Sequence, residues 1–166
     1  MTSTDMLVAL GAMHPRERGW VFLPELRIGT GFGRLSEQRL DAWAIQGWTE
    51  WVHPEKDDDG DGRSRKIKNL RRAFEIKVNR SDARAELLNP DKRWFAQSVS
   101  NQFYFVAPVG VIAVDELGPN DGLIVWADGK LRVARKARLR SAMPPRWSFV
   151  AAIARRVQEM DVRRGT

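Results

Sequence analysis

The sequence has 166 residues, of which 43% are hydrophobic and 30% charged, and its formal net charge is +7. This length fits a single domain over residues 1–166 with one core, and the composition excludes a disordered or fibrous protein. The absence of cysteine excludes disulfides, thiolate zinc sites and cysteine nucleophiles.

The first half of the chain predicts one helix and two strands. Side-chain oxygens ahead of an apolar stretch predict a helix over 5–12, and a short apolar piece follows at 21–23. Alternation of side chains between two faces predicts strands over 40–45 and 70–78. The polar residues 47–69 between these strands are interpreted as an exposed arm inserted into the fold.

The second half alternates again between helix and strand. An aromatic and apolar run is typical of a strand covered on both faces, and an Asp-Gly pair between two short strands favours a tight turn. The predicted elements are a helix capped by Ser81 that Pro90 breaks, a helical piece over 91–99, a strand over 103–108, a hairpin of 122–126 with 131–134, and a basic helix over 145–163. The apolar stripe predicted for this last helix is Phe149, Val150, Ile153, Ala154 and Val157. This order indicates a single-domain α/β fold with a central mixed sheet flanked by helices.

The positive charge is concentrated near the C-terminus. From Lys130 onward there are 11 lysines and arginines against two acids, which leaves the preceding residues at −2. Such a field attracts polyanions, most often nucleic acid, although ribosomal surfaces and acidic proteins respond to it as well. The longest nearly apolar run, 103–114, is shorter than the roughly 20 residues of a membrane span, and residues 1–12 lack the basic start of a secretory signal. We therefore expect a cytoplasmic protein without a membrane span.

The chemistry is predicted for two neighbouring strands. Asp41 is an acid in an otherwise apolar strand, and the next strand carries Glu75-Ile76-Lys77, whose two charges project from one face about 7 Å apart. Two converging carboxylates, with the carbonyl of Ile76 as a third oxygen, would hold Mg²⁺ or Mn²⁺ for phosphodiester hydrolysis. Lys77 would position the attacking water and offset the developing charge. The same spacing also arises in a solvated surface pair of glutamate and lysine.

The order of several segments resembles the MmcB-like and phage-borne branch of the PD-(D/E)xK nucleases. The likeness spans approximately 27–137 and lies in RLDAWAI, AFEIKVNRSD, NPDKRW, SNQFYFVAPVG and GLIVWADG. It implies a restriction-endonuclease-like core, Asp41 and Glu75 as ligands of Mg²⁺ or Mn²⁺, and Lys77 as the catalytic cation. The arm at 47–69 departs from the pattern, since compact relatives turn quickly there.

Further candidates surround this predicted site, each with a simpler alternative. Glu37 would approach the metal, or would pair with Arg34 or Arg39. Lys92, Arg93 and Gln97 would contact nucleic acid from the helix after the lysine, although Gln97 also fits a solvent-facing position. The base of the arm adds a basic set that would clamp a nucleic-acid backbone or form a solvated hairpin face, namely Lys68, Arg71 and Arg72.

The sequence therefore predicts a deoxyribonuclease dependent on one or two Mg²⁺ or Mn²⁺ ions, with DNA as its partner. The expected setting is DNA repair, recombination or phage DNA metabolism in a bacterial or phage-infected cell. The rival interpretation is a non-catalytic nucleic-acid-binding module that retains the nuclease fold, and a third is a protein-interaction subunit of a repair complex. The oligomeric state stays open, with a homodimer among the options.

Overall fold

The computed structural model describes residues 2–28, 38–52 and 65–164. Its helices are α1 (Ser3–Met13), α2 (Arg80–Leu87), α3 (Trp94–Ser98) and α4 (Trp147–Arg164). Its strands are β1 (Trp20–Arg27), β2 (Arg39–Gln46), β3 (Thr49–Val52), β4 (Arg65–Lys68), β5 (Arg71–Ile76), β6 (Gln102–Pro108), β7 (Gly122–Ala127) and β8 (Lys130–Arg135). Within these ranges, short 3-10 helices cover Arg16–Arg18, Pro90–Arg93 and Val114–Glu116.

Six of the strands form one sheet in the order β1-β2-β5-β6-β7-β8. The pairs β5–β6 and β6–β7 are parallel, and the other neighbours are antiparallel, so the sheet is mixed. Strands β3 and β4 form a separate antiparallel hairpin at the base of the arm. The predicted α/β fold around a central mixed sheet is confirmed.

Both faces of the sheet are buried against helices. Alternate side chains of β6 enter different apolar clusters, Phe103 and Phe105 on one face and Tyr104 on the other. The first cluster is covered by α2, α3 and α4, and the second by α1 through Met6 and Leu10. The near absence of polar residues in β6 is therefore explained by its central position, as the sequence predicted.

The turn between β7 and β8 has the geometry that its sequence favours. Asp128 and Gly129 both adopt positive φ, at 49° and 75°. A two-residue turn with positive φ at both positions matches the right-handed twist of the flanking strands. The predicted hairpin is confirmed.

Strand β1 is longer than the prediction from the sequence, which indicated only a short apolar piece at 21–23. Pro24 lacks a backbone N–H, and Glu25 has a φ of 52°, so the segment does not resemble a regular strand. The strand nevertheless forms because β1 is at the edge of the sheet, where proline is tolerated.

The N-cap of α2 and the buried face of α4 differ from the prediction. The cap of α2 is Asn79, whose side chain accepts a hydrogen bond from the backbone N–H of Asp82, and not Ser81. In α4 the inward stripe contains Phe149 and Ala152, whereas Val157 is 37% exposed. None of the helices in the described ranges has the length and apolar character needed to cross a membrane.

Gly122 begins β7 at a point where a side chain would not fit. A Cβ there would lie 2.7 Å from the backbone nitrogen of Ala137 and would also meet the Tyr104 ring. We expect Gly122→Ala to lower the free energy of unfolding in urea by about 1–3 kcal/mol, because the main chain must move. Gly11→Ala, whose Cβ would meet Phe22 at an ordinary 3.4 Å, is the matched control and should be neutral or stabilising. Equal stability of the two variants would contradict this account.

Candidate metal-binding active site

Asp41 and Glu75 lie across from each other on neighbouring strands. The register of β2 against β5 pairs Ala42 with Phe74 and Trp43 with Ala73, so Asp41 lies opposite Glu75 one position beyond the last pair. Residues directly opposite in an antiparallel pair present their side chains on the same face. The two side chains are 19% and 21% exposed, respectively. The structure thus brings together the two carboxylates that the sequence singled out.

The ladder between β2 and β5 ends beside this pair. The last paired positions are Ala42 and Phe74, and the N–H of Ile76 donates to Asp41 Oδ2 at 2.9 Å. The N–H of Lys77 points the opposite way and donates to the carbonyl of Val106 at 2.9 Å. In a trans peptide the carbonyl of Ile76 is directed opposite to that N–H, toward the side of Asp41. The carbonyl oxygen of Ile76 is therefore directed into the space between the ends of β2 and β5, beside the carboxylates of Asp41 and Glu75. This space is called the gap below.

Lys77 is held between two carboxylates. Its Nζ lies 2.7 Å from Glu75 Oε1 and 3.6 Å from Glu86 Oε2, and the lysine side chain is only 14% exposed. Glu86 comes from α2 and is itself 9% exposed. A nearly buried ammonium flanked by carboxylates is fixed in position, so Lys77 can act on a group that enters the gap.

Glu86 was missed by sequence reasoning. The signal was an acid three residues after Ala83, on the inward face of a short helix that directly follows the Glu75-Ile76-Lys77 strand. Burial of an acid on such a face requires a cation opposite it, and Lys77 is that cation.

The electrostatics of the site disfavour two charged carboxylates unless a further cation, in addition to Lys77, lies beside them. Burial, with a further contribution from the charge of Asp41, raises the pKa of Glu75 to about 7, against the counteracting effect of Lys77. Burial alone would lower the pKa of Lys77, but the charge and hydrogen bond of Glu75 outweigh it and raise that pKa. A divalent cation in the gap would relieve the repulsion between the two acids.

Arg39 adds a second cation at the rim. It lies two residues before Asp41 on the same face of β2, and its Nη2 is 3.2 Å from Asp41 Oδ1. Its side chain is 55% exposed, in contrast to Lys77. The sequence reasoning had considered Arg39 only as a partner of Glu37, although its spacing from Asp41 already placed it at the site.

The donor set suits a hydrated hard cation. Within residues 2–28, 38–52 and 65–164, no group of three or more His, Asp or Glu side chains is arranged to hold a metal. Mg²⁺ keeps several waters and is commonly bound by one or two carboxylates, so Asp41, Glu75 and the carbonyl of Ile76 fit it. Tight capture of a bare ion by protein ligands alone does not fit this set.

Two of the predicted nucleic-acid contacts are corrected by the structure. Arg72 lies on the opposite face of the sheet from Glu75, where it donates to Gln102 at 3.1 Å and packs over Trp20. Arg93 is only 7% exposed, and its guanidinium donates to the backbone carbonyl of Glu86. Both arginines are therefore engaged inside the fold instead of facing a ligand in solvent.

Of the remaining candidates, Arg71 and Gln97 lie apart from the carboxylate pair. Arg71 shares the face of Glu75 but is four residues away, about 13 Å along the strand, and donates to the Met143 carbonyl. Gln97 donates to Asp121 at the start of β7, beyond the intervening β6. Lys68 and Lys92 are exposed, in β4 and in a 3-10 helix.

The arm is attached at the end of the sheet opposite to the site. It leaves β2 after Gln46 and returns through Leu70, whereas Asp41 is near the start of β2 and Glu75 near the end of β5. Five residues of strand, about 17 Å, separate Asp41 from Gln46. The middle of the arm, 53–64, and Glu37 lie outside the described residues.

Fold and site together define an α/β protein whose mixed sheet carries a carboxylate pair and a lysine at adjoining strand ends. The sequence matches no protein-family model and no curated protein. The structure is similar to a solved structure described as SPO1766, a protein of unknown function from Silicibacter pomeroyi. The two chains are 15% identical with a TM-score of 0.59, and the match covers 98% of this chain and 89% of the other. This similarity shows the fold and does not assign an activity.

Proposed function

We propose that this protein is a PD-(D/E)xK-type nuclease that hydrolyses phosphodiester bonds in DNA with Mg²⁺ or Mn²⁺. The observation that carries the proposal is the position of Asp41 opposite Glu75, one step beyond the last pair of β2 and β5, with the Lys77 ammonium 2.7 Å from the Glu75 carboxylate. The setting we propose is DNA repair, recombination or phage DNA metabolism in the cytoplasm.

Each group has a distinct role in this proposal. Asp41, Glu75 and the carbonyl of Ile76 would hold the cation, which lowers the pKa of bound water and offsets charge on the phosphate. Lys77, fixed by Glu75 and Glu86, would hold the attacking water by a hydrogen bond and stabilise negative charge on the phosphate oxygens. Arg39, which is more exposed, would orient the phosphate from the rim.

The proposal is tested by incubating the protein with plasmid and with single-stranded, duplex and branched DNA and matched RNA. We expect cleavage of DNA with Mn²⁺ or Mg²⁺ and none with EDTA. Because contaminating nucleases are a common artefact, Glu75→Ala must be purified identically and should be inactive. Glu17→Ala, which removes an exposed acid of the Arg16–Arg18 turn, is the matched control and should cleave normally.

Three results would replace the proposal. Salt-sensitive DNA binding without cleavage under any metal condition would favour a non-catalytic binding module. Cleavage that persists in Glu75→Ala would show that the activity comes from elsewhere. Neither DNA binding nor cleavage would favour a subunit that contacts other proteins.

A further inference from the structure

A pair of arginines lies at the rim of the carboxylate site on the β1 side. In the register of β1 against β2, Arg27 pairs directly with Arg39. Arg39 contacts Asp41, so the face it shares with Arg27 is the face of the site. Like charges directly opposite in an antiparallel pair destabilise a sheet. An anion bound between the two guanidinium groups would offset that cost.

Helix α4 continues this basic surface away from the site. A groove of about 630 Å³ lies between β1 and α4, and Arg27, Arg155 and Arg163 line it. Arg155 and Arg163 are both exposed and are eight residues apart, about 12 Å along the helix. The groove thus has guanidinium groups along both walls.

Acidic residues in the groove are held by a fourth arginine. Arg156 donates to the carbonyl of Pro24 at 2.7 Å and to Glu159 at 3.0 Å, and it lies 4.0 Å from Glu25. Its side chain is only 11% exposed, so it anchors α4 to β1 and partly offsets the two lining acids. Four arginines and two acids line the groove in all, so its net charge is +2 and its sign is positive.

The groove begins next to the carboxylate pair. Pro24 pairs with Ala42 and Leu26 with Leu40, so Glu25, which lines the groove, lies across from Asp41. Paired residues on neighbouring strands are about 5 Å apart between Cα atoms. A polymer lying in the groove would consequently pass within reach of Asp41.

We infer that the groove between β1 and α4 is the track for the phosphodiester backbone of DNA, which rests on the proposed function. Arg39 and Arg27 contact the phosphates beside the carboxylate pair, and Arg155 and Arg163 contact phosphates further along. Guanidinium groups suit this task because they donate two parallel hydrogen bonds to one phosphate. In this inference the groove is the main contact for the DNA backbone. The base of the arm, at the other end of the sheet, and the buried Arg93 are not.

The test measures binding without cleavage, in Ca²⁺ or EDTA, by fluorescence anisotropy of labelled duplex DNA, single-stranded DNA and RNA over a series of salt concentrations. The variants are Arg27→Gln, Arg155→Gln and the double variant. Arg132→Gln on β8, the opposite edge of the sheet, is the matched control because it removes the same charge from an exposed strand position. Far-UV circular dichroism and thermal melts establish that all variants fold.

We expect each groove variant to bind duplex DNA more weakly and to reduce the slope of log K against log salt by about 0.9, with the double variant losing about twice as much. The control should keep the slope of the unmodified protein. Equal losses in Arg132→Gln would show that only net charge matters and would overturn the inference, as would unchanged binding by the folded groove variants. Preferential binding of RNA through the same arginines would overturn DNA as the partner.

Failure of the inference is distinguishable from failure of the proposed function. If the protein binds DNA through the groove arginines but never cleaves it, the inference about the groove holds and the proposed nuclease activity is wrong. If the protein cleaves DNA but its affinity does not depend on Arg27 and Arg155, the nuclease activity holds and the inference about the groove is wrong.

Discussion

Replacing Glu75 by glutamine is expected to make the metal-free protein more stable at pH 8 while abolishing its binding of Mn²⁺. Glutamine keeps the shape of the side chain but removes a carboxylate that burial and Asp41 disfavour. The gain is limited because Lys77 loses its 2.7 Å partner, although Glu86 remains close to it. We expect a net gain of about 1–2 kcal/mol, and a decrease of at least 100-fold in Mn²⁺ affinity.

The pH dependence of this gain follows from the direction of the pKa shift. The pKa of Glu75 is about 7 in the folded protein, above its ordinary value of 4.5, so the folded state holds the proton more tightly than the unfolded state. The contribution of Glu75 to stability is therefore favourable below pH 4.5, declines as pH rises from 4.5 to 7, and is fully lost above 7. A shift of this size corresponds to about 3 kcal/mol at most.

The measurement is urea unfolding of both proteins between pH 5 and pH 8.5, with and without Mn²⁺, together with calorimetric Mn²⁺ titration. The variant should exceed the unmodified protein in stability at pH 8.5 and approach it at pH 5. Mn²⁺ should stabilise only the unmodified protein, with an apparent affinity that falls about tenfold per pH unit below 7, because the proton and the metal compete for Glu75. Equal Mn²⁺ affinity in the two proteins would exclude Glu75 as a ligand. Glu17→Gln should behave like the unmodified protein throughout.

The parts of the fold that sequence patterns predicted are those where local signals and the tertiary context agree. The apolar run of β6 is buried on both faces, and the turn at Asp128 and Gly129 adopts the positive φ that these residues tolerate. The strand β1 was not recognised because Pro24 and Glu25 interrupt its pattern, and only pairing with β2 reveals it. Pairing between strands distant in sequence is a property of the whole fold, so a local pattern does not contain it.

The same distinction applies to the candidate site. Asp41, Glu75 and Lys77 were singled out by strand alternation, and their convergence depends on a register that sets position 41 opposite position 75, just beyond the last pair. Glu86 was missed as a member of the site because the sequence does not state which helix face meets which strand. Arg39 was missed although it lies two residues before Asp41 on the same strand. Arg72 and Arg93 were predicted as phosphate contacts because charge alone suggests exposure, whereas both side chains are engaged within the fold.

The arm and the carboxylate pair lie at opposite ends of the sheet, which limits where a substrate could bind in order to reach the site. At one end the basic hairpin of the arm leaves β2 and returns to β5, and at the other end Asp41 and Glu75 adjoin Arg39 and the groove under α4. A polymer bound only to the arm base would be about 17 Å from the carboxylates. Binding along α4, as inferred above, would place the phosphates beside them.

Replacing Lys77 by methionine is expected to separate metal binding from catalysis. The ammonium, 2.7 Å from Glu75, repels a cation that approaches the same carboxylate, so its removal should increase Mn²⁺ affinity several-fold. Cleavage should nevertheless fall by about 100- to 10,000-fold, because Lys77 would stabilise charge that appears only in the transition state. Loss of a metal ligand would instead weaken both properties together.

The metal-free stability of the same variant gives an independent readout. Without Lys77 the acids Glu75 and Glu86 lose their shared counter-charge, and we expect the free energy of unfolding at pH 8 to fall by about 1–3 kcal/mol. Saturating Mn²⁺ should restore most of this loss, since the cation takes over the neutralising role of the ammonium. Lys130→Met, which removes an exposed lysine at the start of β8 on the far edge of the sheet, is the control and should change none of the three quantities. A Lys77→Met protein that cleaves normally, or that binds Mn²⁺ more weakly than the unmodified protein, would contradict the role assigned to this lysine.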